Sequence, residues 1–389
     1  MSLPLWKIKR ELTRPFLQLR DLPERLGTLF FAQHYYDFVL ASKKKVAQGK
    51  IEPSNRVGIY LIFPQNGVLA SHREALRYLV ANGFSPVVVS NLPLTEADRS
   101  DLLQLATLII ERPNFGYDFG GYRDGVLDAL KRFDQIDRLV LLNDSAWFPL
   151  PGSRNWLEAA EALQLDFVGA ASNYGHPRVN PEDYRELRWN YSCDHHNFHY
   201  CSFALMLSGQ ILSDPRFLKF WQKFPLTNNK SVTVRRGEIG LSRWVISRGF
   251  SHGTTLDITD LDKDLEAKSH SELQQIAANT LIPEMPRAKL VKLALNPKNA
   301  SREDLIGFIL TSVARQGISY TQPRLMHQDR GFAFLKKSPL WLDEDASDLT
   351  LDLLRDMSRE TGDPLAQTFL GEAVHLRQTR GKGFASISG

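Results

Sequence analysis

The chain lacks the features that define several common protein classes. It has only two cysteines, Cys193 and Cys201, which excludes a disulfide framework and is typical of a reducing compartment. No apolar run is long enough to span a membrane, and no signal peptide is visible. Neither a P-loop nor a GxGxxG fingerprint occurs. With 43% hydrophobic and 24% charged residues, the composition is that of a globular protein, which we expect to be cytoplasmic.

Positive charge is concentrated at the start of the chain. Residues 1–50 contain ten Lys or Arg and four Asp or Glu, which gives this segment a net charge of +6. The whole chain carries +4, so the remaining residues carry −2. Aromatic residues are interleaved with these charges. A basic amphipathic helical segment of this kind can lie peripherally on the inner face of an anionic membrane, or pack on the main domain with a solvated basic face. No motif supports binding of nucleic acid.

Apolar runs alternate with helical patterns through the first part of the chain. A capping box of Ser71 and Glu74 predicts a helix that Gly83 closes, and a second helix is expected over residues 95–105. The predicted strands are residues 57–63, 86–90, 107–110 and 138–142. This alternation predicts an α/β fold with a mostly parallel sheet flanked by helices. Residues 64–66, 90–91 and 143–145 would then meet at the carboxyl ends of the strands, and the first two groups are candidates for nucleoside contact.

The pattern changes further along the chain. Strands are expected over residues 166–170 and 203–207, separated by a long polar and aromatic loop. Beyond residue 260 the sequence is largely helical, with Pro283, Pro286, Pro297 and Pro323 dividing it into short pieces. We therefore divide the chain into an N-terminal helical segment (1–50), an α/β domain (51–260) and a mainly helical C-terminal region (261–389).

Residues 114–125 (NFGYDFGGYRDG) predict a glycine-rich loop that leads into a helix. Apolar residues recur at helical spacing from Phe119, and Asp118 stands where an N-cap would be. The glycines leave little bulk at this helix start, so its amide groups and dipole can face an anion such as a diphosphate. The alternative is a turn that lets helix and sheet pack closely.

Asn143-Asp144-Ser145 directly follows the buried strand predicted over residues 138–142. One carboxylate at this place can help to hold Mg²⁺ or Mn²⁺ against substrate phosphates, because Mg²⁺ keeps several waters and takes one or two carboxylates. The alternative is an Asx-type turn that ends the strand. Metal dependence therefore stays open.

Several short motifs in a fixed order resemble the rhamnan synthesis F family of bacterial glycosyltransferases. They are the loop, helix and strand of residues 114–145, then HYCSF at 199–203, EIGLS at 238–242 and GFAFLK at 331–336. The resemblance covers roughly residues 55 to 340. It implies a GT-A-like (Rossmann-like) fold, in which Asn143-Asp144-Ser145 stands where GT-A enzymes carry Asp-x-Asp. The implied activity is transfer of a deoxyhexose, typically rhamnose from a dTDP donor, to a lipid-linked or oligosaccharide acceptor of a growing cell-surface polysaccharide.

The donor-binding candidates lie in this first motif region, and Asp144 is the metal candidate. The donor-binding residues are Asn114, Gly116, Asp118, Gly120, Gly121, Arg123, Asn143 and Ser145. His199 and Ser202 fall within the HYCSF motif and are candidates for acceptor binding. The cysteines and histidines of residues 193–201 do not have the spacing of a familiar zinc site. They line the same loop as the acceptor-binding candidates, and the alternative to acceptor binding is an ordinary loop without such a role.

An inverting transfer needs one general base to deprotonate the acceptor hydroxyl. Glu238 is our first candidate, because it begins a predicted helix whose apolar face it shares, and Asp194 is the second. The alternative for Glu238 is a carboxylate favoured by the helix dipole. Two other functions stay open: a non-catalytic carbohydrate-binding or scaffold subunit of a polysaccharide assembly complex, and a nucleotidyltransferase.

Overall fold

A computed structural model describes residues 32–296 and 298–381. Its main feature is an eight-stranded sheet in the order β1-β4-β3-β2-β5-β10-β7-β11, with β12 paired to β6 and β8 paired to β9 in two small sheets. The strands are β1 (Lys45–Gln48), β2 (Arg56–Ile62), β3 (Ser85–Ser90), β4 (Leu108–Glu111), β5 (Arg138–Asn143), β6 (Ala146–Trp147), β7 (Phe167–Gly169), β8 (Ser172–Asn173), β9 (His199–Tyr200), β10 (Ala204–Ser208), β11 (His252–Thr254) and β12 (Leu335–Lys336).

Helices cover the faces of the sheet and form most of the C-terminal half. They are α1 (Ala32–Tyr35), α2 (Ala70–Ala81), α3 (Glu96–Leu105), α4 (Tyr117–Arg132), α5 (Trp156–Ala162), α6 (Gly209–Ser213), α7 (Pro215–Gln222), α8 (Lys230–Val234), α9 (Gly240–Ser247), α10 (Leu261–Ala267), α11 (His270–Ala278), α12 (Pro286–Leu295), α13 (Arg302–Gln316), α14 (Ile318–Thr321), α15 (Pro323–Arg330), α16 (Pro339–Leu342), α17 (Glu344–Thr361) and α18 (Pro364–Arg380). Across the described ranges, none of these helices has the length and apolar character needed to cross a membrane.

Four consecutive parallel strands of the sheet confirm the predicted α/β class. Strands β4, β3, β2 and β5 are parallel neighbours, and almost all their residues are buried. The continuous apolar runs explain this arrangement, because strands covered on both faces have no solvent side. In total, four of the seven neighbouring pairs in the sheet are parallel.

The sheet also has an antiparallel part. Strand β10 lies antiparallel to both β5 and β7, and edge strand β1 lies antiparallel to β4. Strand β1 falls within residues 1–50, which were expected to be helical. The described part of that segment is helical only up to Lys43, and the prediction for residues 1–31 lies outside the described residues.

Two predicted helix starts are wrong. Helix α2 has no Ser71–Glu74 capping box; its N-cap is Leu69, whose N–H donates to Nδ1 of His72 at 3.1 Å. Helix α4 begins at Tyr117, and its N-cap is Gly116 at φ +84°, so Asp118 lies in the first turn instead of capping the helix. Glycine suits the left-handed cap conformation because it has no Cβ. The predicted helix end at Gly83 is confirmed, with φ +76°.

The hydrophobic core extends across residue 260. One cluster joins the sheet residues Val140 and Met206 to Leu265, Leu305 and Phe334. A separate cluster packs helices α17 and α18 against Trp147 and Leu150. Helices α12 and α15 begin at Pro286 and Pro323, at the first position where proline is tolerated, and Pro297 lies outside the described residues. The boundary at 260 stays a prediction.

Candidate functional site

A cavity of about 700 Å³ opens at the carboxyl ends of the parallel strands. Its wall includes residues that directly follow β2, β3 and β5, namely Phe63, Asn91 and Asp144, together with Asn114 beyond β4. The chain passes from β2 to β3 and β4 on one side, and then places β5 on the other side of β2. Ligands of open α/β sheets bind at such a switch in strand order, and the volume suits a small-molecule ligand.

Four of the predicted site residues line this cavity. They are Asn114, Asp118, Asp144 and Ser145. Residues 64–66 and Asn91, the predicted nucleoside contacts, also lie in its wall. Polar residues that directly follow apolar strands were enough to predict this proximity, because the carboxyl ends of parallel strands meet at one edge of the sheet.

Asp144 connects the two sides of the switch point. Its Oδ2 accepts a hydrogen bond from the N–H of Phe63 at 2.7 Å and lies 3.4 Å from Nε2 of His72. Because Nδ1 of His72 accepts from Leu69, a neutral His72 ring carries its proton on Nε2, which faces the carboxylate. Burial alone would raise the pKa of Asp144, but His72, Lys337 and the Phe63 amide together hold it below its ordinary value.

A row of hydrogen bonds runs from Asp118 along one wall. Nδ2 of Asn143 donates to Oδ2 of Asp118 at 3.1 Å, and the hydroxyl of Ser145 donates to Oδ1 of Asn143 at 2.5 Å. The ammonium of Lys336 donates to Oγ of Ser145 at 3.0 Å. Asn143 therefore braces the wall from behind, while Asp118 and Ser145 line the cavity.

Asp118 is a cavity acid whose pKa is raised, in contrast to that of Asp144. Burial raises its pKa to about 6, and the negative charges of Asp144 and Glu238 act in the same direction. Lys336 and Lys230 lower it. A carboxyl group that titrates near neutrality inside a cleft is typical of a functional site.

The glycines of helix α4 do not provide the predicted free amides. The N–H of Gly116 donates to Oδ1 of Asn228 at 2.8 Å, and the N–H of Gly120 donates to the carbonyl of Gly116. A Cβ on Gly121 would lie 2.4 Å from Cδ1 of Leu61 in β2. The glycines thus allow close packing of helix on sheet. Of the helix start, Tyr117 and Asp118 face the cavity.

Arg123 was predicted to add a charge at the donor site, but the structure places it away from the cavity. Its Nη1 pairs with Asp37 at 2.9 Å, and its Nε donates to the carbonyl of Trp221 at 3.0 Å. The guanidinium is buried there and is not part of the cavity wall. The sequence could not reveal this, because the ion pair between Arg123 and Asp37 joins α4 to a distant part of the chain.

Glu238 lies in a second group of polar residues, formed with Ser202 and His199. Its Oε1 accepts from the hydroxyl of Ser202 at 2.5 Å and from the Ser202 N–H at 3.2 Å. Its Oε2 lies 3.7 Å from Nε2 of His199, which is too long for a hydrogen bond. This group is outside the cavity wall but close enough for the Glu238 charge to act on Asp118 and Lys336.

Asp194 lies apart from both groups. It is exposed and hydrogen-bonds to the hydroxyl of Ser192 in its own turn. Nearby, His195 stacks on Tyr174 with 5.1 Å between ring centres. Burial raises the pKa of the Cys201 thiol to about 12, so this cysteine is not a reactive thiolate.

A further group of cavity residues, which come from distant segments, was not predicted from the sequence. Lys230 begins α8, whereas Lys337, Trp341 and Arg380 come from the C-terminal region. The guanidinium of Arg380 lies 4.8 Å from the ring centre of Trp341 and donates to Oε1 of Gln65. The available signal was that Lys337 directly follows Lys336, the last residue of the GFAFLK motif.

The described residues do not form a divalent-cation site from protein ligands alone. In the part of the chain that the structure describes, no three His, Cys, Asp or Glu side chains come together as metal ligands. One oxygen of Asp144 is already engaged by Phe63 and His72, and Lys337 lies close by. Asp144 as a ligand of Mg²⁺ or Mn²⁺ stays a prediction without support from its surroundings.

The sheet and the polar cavity at its switch point identify an α/β protein with a ligand site at the sheet edge. Comparison with known families identifies the family. The model of the family described as rhamnan synthesis protein F matches residues 86–320. The chain belongs to this family, which confirms the resemblance that the sequence motifs indicated.

Individual relatives add little about activity. The uncharacterized protein y4gN of Sinorhizobium fredii (strain NBRC 101917 / NGR234) is 32% identical over 267 residues, which cover 68% of this chain and 65% of that protein. The virulence protein VirA of Vibrio anguillarum (strain ATCC 68554 / 775) is 46% identical over 48 residues, 12% of this chain and 16% of that protein. The chain thus spans slightly less than two thirds of the first relative's length.

Solved structures show weak similarity. Core-mannan synthase A from Aspergillus fumigatus, in an Mn/GDP form, has a TM-score of 0.30 and 9% identity over 54% of this chain and 75% of that chain. Residues 1–349 of S. aureus TarS have a TM-score of 0.24 and 8% identity over 84% of this chain and 90% of that chain. The fold class rests on the strand order and the flanking helices described above.

Proposed function

We propose that this protein is a glycosyltransferase that moves a deoxyhexose, rhamnose in the first instance, from a nucleoside-diphosphate donor to a growing cell-surface polysaccharide. The observation that carries the proposal is the cavity at the switch point, in which Lys230, Lys337 and Arg380 accompany Asp118 and Asp144. Cations suit the diphosphate of a nucleotide sugar, and membership of the rhamnan synthesis protein F family supports polysaccharide synthesis.

The proposed donor lies across the carboxyl ends of β2 to β5. Its nucleoside contacts residues 64–66 and Asn91, and its diphosphate faces the lysines. A dTDP-linked sugar is the donor that the family resemblance implies. We infer a GT-A-like arrangement from this position of the cavity at the sheet edge.

Glu238 is proposed as the general base of an inverting transfer. The hydroxyl and amide of Ser202 hold its Oε1, so its Oε2 is left to receive the proton of an acceptor hydroxyl. His199, 3.7 Å from that oxygen, is proposed to orient the lipid-linked or oligosaccharide acceptor. Asp194 has no part in the proposal, because it is exposed in a separate turn.

The proposed location is the cytoplasm, with peripheral attachment to the inner face of the membrane. Among described residues, Tyr35 and Phe38 are 51% and 80% exposed and continue the aromatic pattern of the basic N-terminal segment. Apolar groups beside basic charge support an interfacial contact. Binding to vesicles with and without anionic lipid tests this point.

Turnover of a donor panel tests the activity. The protein is incubated with dTDP-, UDP- and GDP-sugars and rhamnose-containing oligosaccharides, and release of nucleoside diphosphate is measured. Glu238→Gln should lower release by about 10²- to 10⁴-fold, the usual contribution of a general base. Glu158→Gln, an exposed carboxylate on α5, is the control and should match the unmodified protein.

Two outcomes would contradict the proposal. Binding of donors without release, unchanged by Glu238→Gln, would favour the carbohydrate-binding or scaffold function. Release of pyrophosphate instead of nucleoside diphosphate would identify a nucleotidyltransferase.

A further inference from the structure

Lys337 is fixed next to Asp144 by backbone pairing. Strand β12 pairs antiparallel with β6, which places Lys336 opposite Ala146. The N–H of Lys337 then donates to the carbonyl of Ser145 at 3.0 Å. Because β6 begins only two residues after Asp144, this pairing sets the position of Lys337 independently of its side chain.

The ammonium of Lys337 has little compensation. Its side chain is only 5% exposed and lines the cavity. Its Nζ lies 3.5 Å from Oγ of Ser71 and 5.4 Å from the ring centre of Trp147. It makes no ion pair with any carboxylate of residues 32–296 and 298–381. A buried charge is costly unless it is paired, so this arrangement calls for an anionic ligand.

Charges around Lys337 favour a ligand with more than one negative charge. Asp144 and Glu372 act on Lys337 from the protein side, against the desolvation that lowers its pKa and the repulsion of Arg380. Lys230 and Arg380 are exposed and line the same cavity. The cavity is therefore lined by three cations and by two carboxylates, Asp118 and Asp144. Within the described ranges, these carboxylates do not form a metal site with a third protein ligand.

We propose that Lys337 binds the diphosphate of the donor and takes the place that a divalent cation has in metal-dependent transferases. Asp144 and His72 act as positioning residues on the same side of the cavity. The inference rests on the proposed function only in naming a nucleotide sugar as the source of the diphosphate. As the nucleoside diphosphate departs, the ammonium stabilises its negative charge, with no change in covalent bonding at the lysine.

The test uses inorganic pyrophosphate and dTDP as probes, with calorimetric titration of the full chain in excess EDTA. We expect both to bind without metal. Lys337→Met, which keeps the apolar stem but removes the charge, should weaken both by about tenfold or more, the size of one charge-assisted hydrogen bond. Lys337→Arg keeps the charge and should retain part of the affinity.

Lys292→Met is the matched control. Burial lowers the pKa of Lys292 to about 8, but its Nζ donates to the carbonyls of Ala278 and Thr280 outside the cavity. Its replacement should leave pyrophosphate and dTDP binding unchanged. Thermal unfolding of each variant without ligand verifies that it is folded.

The outcomes separate this inference from the proposed function. If pyrophosphate and dTDP bind only when Mg²⁺ or Mn²⁺ is added, or if folded Lys337→Met binds as tightly as the unmodified protein, the inference is overturned even where sugar transfer is observed. If metal-free binding depends on Lys337 but no sugar of the panel is transferred, the inference stands and the proposed function fails. Because the metal series uses the unmodified protein, a strict requirement for metal overturns the inference even if a variant does not fold, and Lys337→Arg provides a second variant for assigning the binding to this residue.

Discussion

Asp118 provides a prediction whose size follows from the structure. Burial, together with the charges of Asp144 and Glu238, raises its pKa from 3.8 to about 6 in the folded protein. Folding therefore favours the protonated form of this carboxyl group. The stability that Asp118 contributes is fully present below its unfolded pKa and is lost as the pH rises through about 6.

Asp118→Asn isolates this effect. The amide cannot ionise, and its oxygen can still accept the hydrogen bond that Nδ2 of Asn143 donates to Asp118. The difference between a pKa of 3.8 and one of about 6 corresponds to about 3 kcal/mol, which is an upper limit because the group faces a solvent-accessible cavity. We expect the free energy of unfolding of the unmodified protein to fall relative to that of Asp118→Asn by up to about 3 kcal/mol between pH 4 and pH 7.

Urea titrations at half-unit steps between pH 4 and pH 7 measure the difference. Asp352→Asn serves as the control, because Asp352 is an exposed carboxylate that pairs with Arg355 one turn away and surface pairs contribute little. If the difference between the unmodified protein and Asp118→Asn stays constant within about 0.5 kcal/mol over this range, the reasoning about Asp118 is wrong.

Three further substitutions test the packing around the cavity. Gly121→Ala should lower the free energy of unfolding by about 1–3 kcal/mol, because its Cβ would lie 2.4 Å from Leu61, whereas Gly371→Ala in α18, with open space around it, should be neutral or stabilising in the same denaturant titration. Glu372→Ala should cost about 1–3 kcal/mol in that assay, because two buried donors lose their acceptor; a smaller loss would mean that α18 is held by apolar packing alone. Arg123→Met should destabilise the protein by about 2 kcal/mol but leave dTDP affinity unchanged in calorimetry, and a loss of affinity would restore Arg123 to the donor site.

Local patterns determined which parts of the fold could be predicted. The buried parallel strands were predicted to within one or two residues, because continuous apolar runs bounded by polar residues have few alternatives. The direction of β10 could not be read from its sequence, since its apolar run Ala204–Ser208 is fully buried and suits either direction. Its antiparallel pairing with β5 depends on the whole connection from 146 to 203.

The prediction of where helix α4 starts was wrong for a different reason. Asp118 has the residue type of an N-cap, but Gly116 adopts the left-handed conformation at φ +84° and takes that position. Tyr117 then follows with φ +50°, which is unusual for a residue with a side chain. A tertiary contact, the hydrogen bond from Gly116 to Asn228, accompanies this conformation, and local propensity carries no information about it.

The residues of the candidate site also fall into those that local patterns could predict and those that depend on long-range pairing. Asn114, Asp118, Asp144 and Ser145 were found because each follows a strand or opens a helix at the same sheet edge. Lys337 was missed because its place depends on a pairing with β6, about 190 residues earlier in the chain. Long-range pairing of two short strands leaves no periodic signal.

The C-terminal region therefore contributes to the site through a segment that cannot be removed cleanly. The family match ends at residue 320, but Lys337 lies beyond it, and a deletion after that point would seem a direct test of its role. Such a deletion would also remove Phe334, which stacks on Phe148 with 4.4 Å between ring centres, and Leu335, which is buried against the helices of the last cluster. Loss of binding in a truncated chain would follow from unfolding as readily as from loss of charge. Only a substitution that keeps the apolar stem of Lys337 separates the two effects.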